Sequence, residues 1–290
     1  MSTPCTYLAL RAIIPFMDTN TRIQSSLKTP SVHRYFSRLP MNIDHVKISS
    51  GQVTIDSVTY KFTRLVSWFP KEETEFVQFT INNVPVQLIH TKTPVKKILN
   101  AFLKRIFTGP VTIKTLELRT SVTADLQLMV DNLKIGALEA DYSPILSPHS
   151  LPLKSFEILN WKSGFTVEDS DLLILPDTQH SELATVAHPR VHIRSLTPGP
   201  GFVPPFLMHL LDVWVVYRSL NSNHWSFEIS SPSAYVHYVI ALRMLDVLDV
   251  QTVDEQYHVT TPNLPGEILK IFCRHENGTH HLHLKFEKTH

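Results

Sequence analysis

The spacing of apolar residues changes near residue 41, and this change limits the folds that the chain can adopt. Before it, apolar side chains recur every three or four positions, which is the spacing of a helix. After it, a run from Ile43 to Phe62 alternates apolar and polar residues and is broken by turn residues such as Gly51. That alternation is typical of an antiparallel β-meander. The sequence therefore predicts a mixed α/β fold that begins with helices and continues into strands.

Three short helices are predicted ahead of the meander. The first covers residues 7–17, the second follows a cap at Asp18 or Thr19, and the third covers 31–39 after Pro30, since proline is favoured where a helix starts. Six apolar residues on the first two helices could lie against another protein as well as against this protein's own sheet: Leu10, Ile13, Ile14, Met17, Ile23 and Leu27. Their spacing fits both interpretations.

A longer amphipathic helix is predicted after the meander. Thr93 is placed to cap it, Pro94 to occupy its first turn, and Gly109-Pro110 to stop it. Its apolar stripe keeps helical spacing throughout, with Val95, Ile98, Leu99, Phe102, Leu103, Ile106 and Phe107. The opposite face is basic, which suits a solvated surface or, as the alternative, an acidic or phosphate-bearing partner.

A weak internal repeat follows the helix. Four segments share an apolar-x-x-apolar pattern, at Ile113/Leu116, Ile135/Leu138, Leu153/Phe156 and Ile193/Leu196. Their first residues lie 22, 18 and 40 positions apart, so a period near 20 runs through them with one poor unit near Leu173. This period is in the range of leucine-rich-repeat solenoids, in which each unit adds one strand and one return segment. Unrelated strands in an ordinary α/β domain are the alternative.

The last third of the chain is predicted to alternate between helices and strands. Helices are expected over 206–220 and from Ser231-Pro232 onward, the second with Val236 and Ile240 towards the core. A strand is expected over 225–229. A β-hairpin closes the sequence around Asn277-Gly278, a dipeptide that favours tight turns between strands.

The length of 290 residues suits one large domain or two modest ones. Twenty prolines, against eight glycines, divide the chain into short elements. We predict a helical segment over 1–41 and an α/β domain over 42–290, which the loop at 197–205 could subdivide.

Composition narrows the classes of function. The 27 Lys and Arg residues nearly balance the 26 Asp and Glu residues, so binding to nucleic acid is not predicted. Cys5 and Cys273 are too few for a disulfide framework, which indicates a reducing compartment, the cytoplasm or the nucleus. No run reaches the roughly 18 apolar residues of a membrane span. Residues 1–43 hold several basic residues and a single acidic one, Asp18, so a mitochondrial transit peptide is an alternative.

No catalytic constellation is recognisable in the sequence. It contains no Gly-rich phosphate loop, no Gly-x-Ser-x-Gly elbow, no His-Glu-x-x-His and no paired Cys-x-x-Cys motif. Imidazoles near the C-terminus could bind a divalent metal, although histidines on an exposed strand are more often plain polar residues: His275, His280, His281 and His283. Glu168, Asp169 and Asp171 are typical of an exposed loop, and Cys273 of a strand. We therefore predict no catalytic residue, no cofactor and no metal.

The N-terminal region resembles a degenerate F-box. The likeness lies in the order Leu10-x-x-Ile13-Ile14-x-x-Met17-Asp18, then Arg22-Ile23, then Ser26-Leu27-Lys28-x-Pro30-Ser31-Val32. The continuation through Met41-Asn42-Ile43 and Ile55-Asp56-Ser57-Val58-Thr59-Tyr60 resembles more specifically the nematode F-box C group, whose C-terminal domain has no known function.

This resemblance implies a substrate-recruiting subunit of a Skp–cullin–F-box ubiquitin ligase. It implies that a Skp-type adaptor protein binds the six apolar residues Leu10, Ile13, Ile14, Met17, Ile23 and Leu27, while the α/β domain presents a recognition surface to an unknown protein target. The alternative is a stand-alone protein-interaction domain with no link to a ligase.

Overall fold

The computed structural model describes residues 12–36, 38–69, 72–119, 133–141, 151–159, 170–176, 188–196, 224–229, 236, 240, 250–253, 256–260, 267–276 and 278–288. Over these residues the chain has the predicted mixed α/β character, with many strands and few helices. It divides into two compact units, Met1–Leu153 and Lys154–His290. The predicted helical segment and the meander therefore belong to the same unit, and the predicted loop at 197–205 lies outside the described residues.

The N-terminal elements are a 3-10 turn, Ile14–Phe16, and two helices, α1 (Thr19–Lys28) and α2 (Pro30–Phe36). Of the first predicted helix only residues from 12 onward are described, and there Pro15 falls in the first turn of the 3-10 segment. The predicted cap of the second helix is confirmed, because the Asp18 carboxylate accepts a hydrogen bond from the backbone N–H of Thr21 at 2.9 Å. The third helix starts at the predicted proline and ends earlier than expected.

The meander consists of β1 (Met41–Ser49), β2 (Gln52–Ile55), β3 (Val58–Phe69), β4 (Glu72–Ile81) and β5 (Val84–His90), each antiparallel to the next. Asn82 and Asn83 both have positive φ, of 49° and 64°, in the tight turn between β4 and β5. The charge of the stretch 71–75 is typical of a loop, but from Glu72 onward the stretch belongs to β4, which pairs with β3.

Helix α3 (Val95–Ile106) packs its predicted apolar stripe against the meander. The Phe102 ring lies 5.3 Å from the rings of both Tyr60 and Phe62, between centroids. The cap was predicted at Thr93, which is wrong. Pro94 holds the cap position, and no side chain bonds the first turn. The Thr93 carbonyl instead accepts a hydrogen bond from the guanidinium of Arg64 at 3.3 Å.

The N-terminal unit also contains parallel strands. β6 (Val111–Leu118) pairs in parallel with β1 on one side and with β7 (Leu133–Ala140) on the other, so Ile43, Ile113 and Ile135 stand side by side. The order of strands in this unit is β7-β6-β1-β2-β3-β4-β5. The parallel partners β1 and β6 are separated in the chain by the rest of the meander and by α3, whereas consecutive strands of the meander are joined by short connections.

The second unit begins with four parallel strands in chain order, β8 (Ser155–Ile158), β9 (Leu173–Leu175), β10 (Arg190–Leu196) and β11 (His224–Ile229). Antiparallel strands then follow in the order β15, β14, β13, β12. Their bounds are β12 (Val250–Val253), β13 (Gln256–Thr260), β14 (Glu267–Glu276) and β15 (Thr279–Lys288). The predicted terminal hairpin is confirmed, with Gly278 at φ 84° in its turn.

Two predicted core positions in this unit are wrong. Val236 and Ile240 are each about half exposed instead of facing the core. Helical periodicity shows that two residues share a face but does not show which face is buried. The other predicted helix, 206–220, lies outside the described residues.

Candidate protein-binding surfaces

The apolar residues before α1 and within it fall into two groups by the exposure of their side chains. Ile14 is 2% exposed and Ile23 in α1 is fully buried, so neither side chain is accessible to another protein in this conformation. Ile13 is 51% exposed and Phe16 is 89% exposed. Exposed side chains of this size are commonly found where a partner binds when they lie close together.

Three further residues belong to the predicted adaptor surface. Met17 and Leu27 are half-buried, and Leu10 lies outside the described residues. Phe16 was not among the predicted site residues. The available signal was Pro15, because a proline interrupts helical periodicity and turns the following side chain away from the expected face.

Helix α1 is fixed to the body of the unit by buried polar contacts. The Asn20 amide donates to the Ile55 carbonyl at 3.0 Å, and the Tyr60 hydroxyl donates to the Asn20 side-chain oxygen at 3.0 Å. Burial raises the pKa of Tyr60 to about 12, so its hydroxyl remains a donor at neutral pH. Arg105 of α3 donates to the Ser26 carbonyl at 3.0 Å. The helix is therefore part of the body and supports the exposed residues that precede it.

A charged ladder crosses the outer face of the parallel strands in the same unit. Lys47, Glu117 and Glu139 are direct neighbours across β1, β6 and β7. Glu117 is buried, accepts a hydrogen bond from Lys47 Nζ at 2.7 Å and also contacts the guanidinium of Arg119. His45 Nε2 lies 3.3 Å from the other carboxylate oxygen of Glu117, Oε2.

The pKa of Glu117 reflects opposing causes. Burial acts to raise it, while hydrogen bonds and charge from Lys47 and Arg119 lower it, and the net result is a pKa below the ordinary value. The carboxylate is therefore ionised at neutral pH, and the ladder is a set of ion pairs.

The outer face of the second unit is rich in histidine. Strand alternation puts the apolar side chains of β10, β11 and β15 on one face and their polar side chains on the other. We call this second side the histidine-rich face; among the residues whose side chains the structure describes, its members on β10, β11, β14 and β15 are Arg190, His192, Arg194, His224, Ser226, Glu228, Lys270, Phe272, Arg274, His281, His283 and Lys285.

These side chains contact one another across strands. His192 lies 2.9 Å from the Ser226 hydroxyl through Nδ1 and 3.0 Å from the Glu228 carboxylate through Nε2. Burial lowers the pKa of His192, although the neighbouring Glu228 opposes that shift. The His283 ring stacks on Phe272 with centroids 4.8 Å apart, and its Nδ1 lies 3.2 Å from His224 Nε2.

One motif on these faces was not predicted. Glu117, Glu139, Glu157 and Glu228 each stand between two apolar residues in a parallel strand. Each has a cationic or imidazole partner, and Glu157 accepts a hydrogen bond from Arg194 at 2.6 Å. The apolar-Glu-apolar pattern was visible in the sequence, and it marks the polar face of each strand.

The contacts of the residues with possible catalytic chemistry are those of residues that stabilise the fold. Burial raises the pKa of the Cys273 thiol to about 12, so it is not a thiolate at neutral pH. His188 is buried beside the Ser170 hydroxyl, at 3.2 Å, but its two ring nitrogens also contact the carbonyl oxygens of Ser170 and Arg190, at 2.9 and 2.7 Å. The imidazole thus joins the ends of β9 and β10. Asp171 is exposed, and its predicted acidic neighbours lie outside the described residues.

The C-terminal histidines separate onto two sides of the hairpin. His275 and His280 are cross-strand neighbours with their Nδ1 atoms 3.4 Å apart, while His281 and His283 belong to the histidine-rich face. Among the residues that the structure describes, no three His, Cys, Asp or Glu side chains converge in a way that could hold a metal ion. No helix in the same ranges combines the length and apolar character needed to cross a membrane.

The chain matches no protein-family model, no curated protein and no solved structure.

Proposed function

We propose that this chain is a protein-binding subunit that links a target protein to a Skp–cullin ubiquitin ligase. The observation that carries the proposal is the exposure of Ile13 and Phe16 immediately before a helix that is fixed to the body. The resemblance of the N-terminal region to the F-box C group supports the choice of a Skp-type adaptor as the partner.

Burial of these two side chains by an adaptor would supply the driving force for binding. Covering an apolar side chain of this size contributes about 1.5–3 kcal/mol. Phe16 and Ile13 form the centre of the proposed surface, with Met17 next to Phe16 in the chain; Leu10, which the resemblance also assigns to this surface, lies outside the described residues. In this arrangement Ile14 and Ile23 hold the surface in place from inside, and Leu27 is half-covered by the body.

The parallel strands of the two units would bind the target protein. Both units place parallel strands side by side, and the predicted repeat segments coincide with β6, β7, β8 and β10. We propose that these strands are leucine-rich-repeat-like units, each presenting polar side chains on its outer face. The regular register of Ile113 with Ile135, and of Leu173 with Val191, supports this proposal.

Capture by a purified Skp-type adaptor tests the ligase link. We expect the wild-type chain to be captured, and Ile13→Asp and Phe16→Asp to abolish capture without changing the circular dichroism spectrum, because both side chains are exposed. Leu88→Asp is the matched control, since Leu88 is an apolar residue on β5 of the same unit that is exposed about as much as Ile13. Ile14→Asp should unfold the unit instead.

Failure of the wild-type chain to bind the adaptor would refute the ligase proposal. Normal capture of the Phe16→Asp variant would refute the assignment of the surface.

The second candidate function is a stand-alone protein-interaction domain. It is favoured by β5, the last strand in the order of the N-terminal unit, on which Val84, Val86 and Leu88 are all exposed. An edge strand with exposed apolar side chains suits a partner that adds a strand to the sheet. Under this function the Leu88→Asp variant, and not Phe16→Asp, would lose its partner.

A further inference from the structure

Strand β5 ends the order of strands in the N-terminal unit, and among the described residues it pairs only with β4. Every residue from Val84 to Leu88 is exposed, and the strand carries no charged side chain between Val84 and Ile89. Natural proteins commonly protect such an edge with lysines or a covering element, because its unpaired N–H and C=O groups can add a strand from another molecule. The only blocking residue on β5 is Pro85, which has no N–H and lies near the turn.

The pairing of β5 with β4 determines which backbone groups point towards the open edge. The Thr91 N–H donates to the Glu75 carbonyl at 3.2 Å, so these two residues form a hydrogen-bonded pair. Hydrogen-bonded and non-hydrogen-bonded pairs alternate along an antiparallel ladder, so the pairs that contain His90 and Leu88 are non-hydrogen-bonded. The N–H and C=O groups of Leu88 and His90 therefore point away from β4.

Two copies of this edge are complementary about a two-fold axis at Ile89. In an antiparallel arrangement, Leu88 of each copy stands opposite His90 of the other. Both pairs are then hydrogen-bonded pairs, and each exchanges two backbone bonds, so all the outward N–H groups of Leu88 and His90 have acceptors. Pro85, which cannot donate, lies outside the paired stretch.

The side chains on both faces of the sheet favour the same arrangement. On one face, Ile89 neighbours the fully buried Val77 and would contact Ile89 of the second copy on its other side. On the other face, the exposed Leu88 would lie beside His90 of the second copy, whose ring meets the Phe76 ring with centroids 5.2 Å apart. Cross-strand pairs of this kind stabilise a sheet. The apolar character of β4 and β5 would therefore continue across the axis.

A second copy of the chain suits this edge because a symmetric interface brings the same surface together twice. A charged residue on such a strand would meet a like charge, and β5 has none between Val84 and Ile89. The two-fold axis at Ile89 also places His90 opposite Leu88, so the two His90 imidazoles are not direct neighbours.

We propose that the chain forms a symmetric dimer in which β5 pairs with β5 of a second copy through Leu88, Ile89 and His90. The proposal rests on the second candidate function, in which β5 accepts a strand from a partner, and it names that partner. It does not involve the adaptor surface, because Ile13 and Phe16 lie before α1. The paired stretch is short, so we expect a dissociation constant on the order of 1–100 μM.

Light scattering of the full-length chain over this concentration range tests the dimer. We expect the mass to rise from 33.1 kDa towards twice that value. Leu88→Pro should stay monomeric, because proline removes an N–H that only the second copy would use, and its circular dichroism spectrum should match the wild type because that N–H does not bond β4. Leu88→Val is the matched control: it keeps the N–H and an apolar side chain and should associate like the wild type.

Cysteine cross-linking tests the register. The Cα atoms of a non-hydrogen-bonded pair are about 4.5 Å apart, so Ile89→Cys should form a disulfide across the axis under mild oxidation. Gln87→Cys is the control, because the Cα atoms of the two copies of Gln87 would be about 14 Å apart, too far for a disulfide. Both variants carry Cys5→Ser, which leaves Cys273 as the only other thiol.

Four results would overturn the proposal: a mass of 33.1 kDa at every concentration, a dimeric Leu88→Pro variant, loss of association in Leu88→Val, or equal cross-linking of the two cysteine variants. A monomeric wild type whose Leu88→Asp variant loses a different partner would refute the dimer and keep the second candidate function. Adaptor capture depends on Ile13 and Phe16, so its failure is distinguishable from failure of the dimer.

Discussion

Replacing Glu117 with glutamine tests whether the charged ladder stabilises the N-terminal unit. Glutamine keeps the size of the side chain and removes its charge. In the folded protein the carboxylate is buried and accepts from Lys47 and Arg119, with His45 beside it. The change therefore weakens several ion pairs while it leaves the packing of β6 intact.

The magnitude follows from the exposure of the partners. Hydrogen bonds to charged groups contribute about 1.5–3 kcal/mol when both groups are shielded from water. Here the side chains of Lys47 and Arg119 are 41% and 34% exposed, so solvent screening reduces each contribution towards the surface value of about 0.2–1 kcal/mol. We expect a loss of about 1–2 kcal/mol in the free energy of unfolding. Glu139→Gln is the control: Glu139 is the neighbour of Glu117 across the sheet, with one contact to Arg119 at 3.6 Å, and its loss should stay below about 0.5 kcal/mol.

The difference between wild type and Glu117→Gln should also depend on pH. The folded pKa of Glu117 lies below its ordinary value of 4.5, so the stabilisation is fully present above that value and disappears as the pH falls through the folded pKa. Urea denaturation followed by circular dichroism, at several pH values between about 7 and 3, measures this difference. Equal losses in the two variants, or a difference that grows as the pH falls, would refute the reasoning.

Three further predictions concern single contacts. Gly136→Ala should lower the free energy of unfolding by about 1–3 kcal/mol, measured by urea denaturation, because the new Cβ would lie 2.8 Å from the backbone oxygen of Lys114. Asn20→Ala should cost about 1–3 kcal/mol in the same assay, because the buried Tyr60 hydroxyl loses its acceptor; a loss no larger than that of an exposed alanine substitution would contradict this. Cys273 should resist iodoacetamide at neutral pH in the folded protein and react after denaturation, as peptide mass spectrometry would show, because burial raises its pKa to about 12.

Local patterns were enough to predict elements whose partners are close in sequence. The meander, α3 and the terminal hairpin were all predicted from periodicity and turn residues, since short connections leave few choices of pairing. Parallel pairing could not be read in this way. Ile43 meets Ile113 only after the meander and α3 have intervened, and no local signal fixes that register.

The candidate surfaces show the same limit. The apolar residues of the proposed adaptor surface could be listed from the sequence, but the buried state of Ile14 and the exposure of Ile13, its direct neighbour, depend on how the chain enters α1. The buried Glu117 carboxylate has as a hydrogen-bond donor Lys47, which is distant in sequence, so the sequence did not show this contact. The histidine-rich face requires three strand registers, β10–β11, β11–β15 and β14–β15, to be known together.

The short connection between Phe16 and α1 bears on the geometry of any complex. Only Met17 and the cap residue Asp18 separate Phe16 from the first turn of a helix that Asn20 bonds to the sheet. Two residues of extended chain cover at most about 7 Å. A protein that binds Phe16 would therefore be connected to the N-terminal unit by a very short segment and not by a flexible linker. Its orientation relative to that unit would be set by the position of α1.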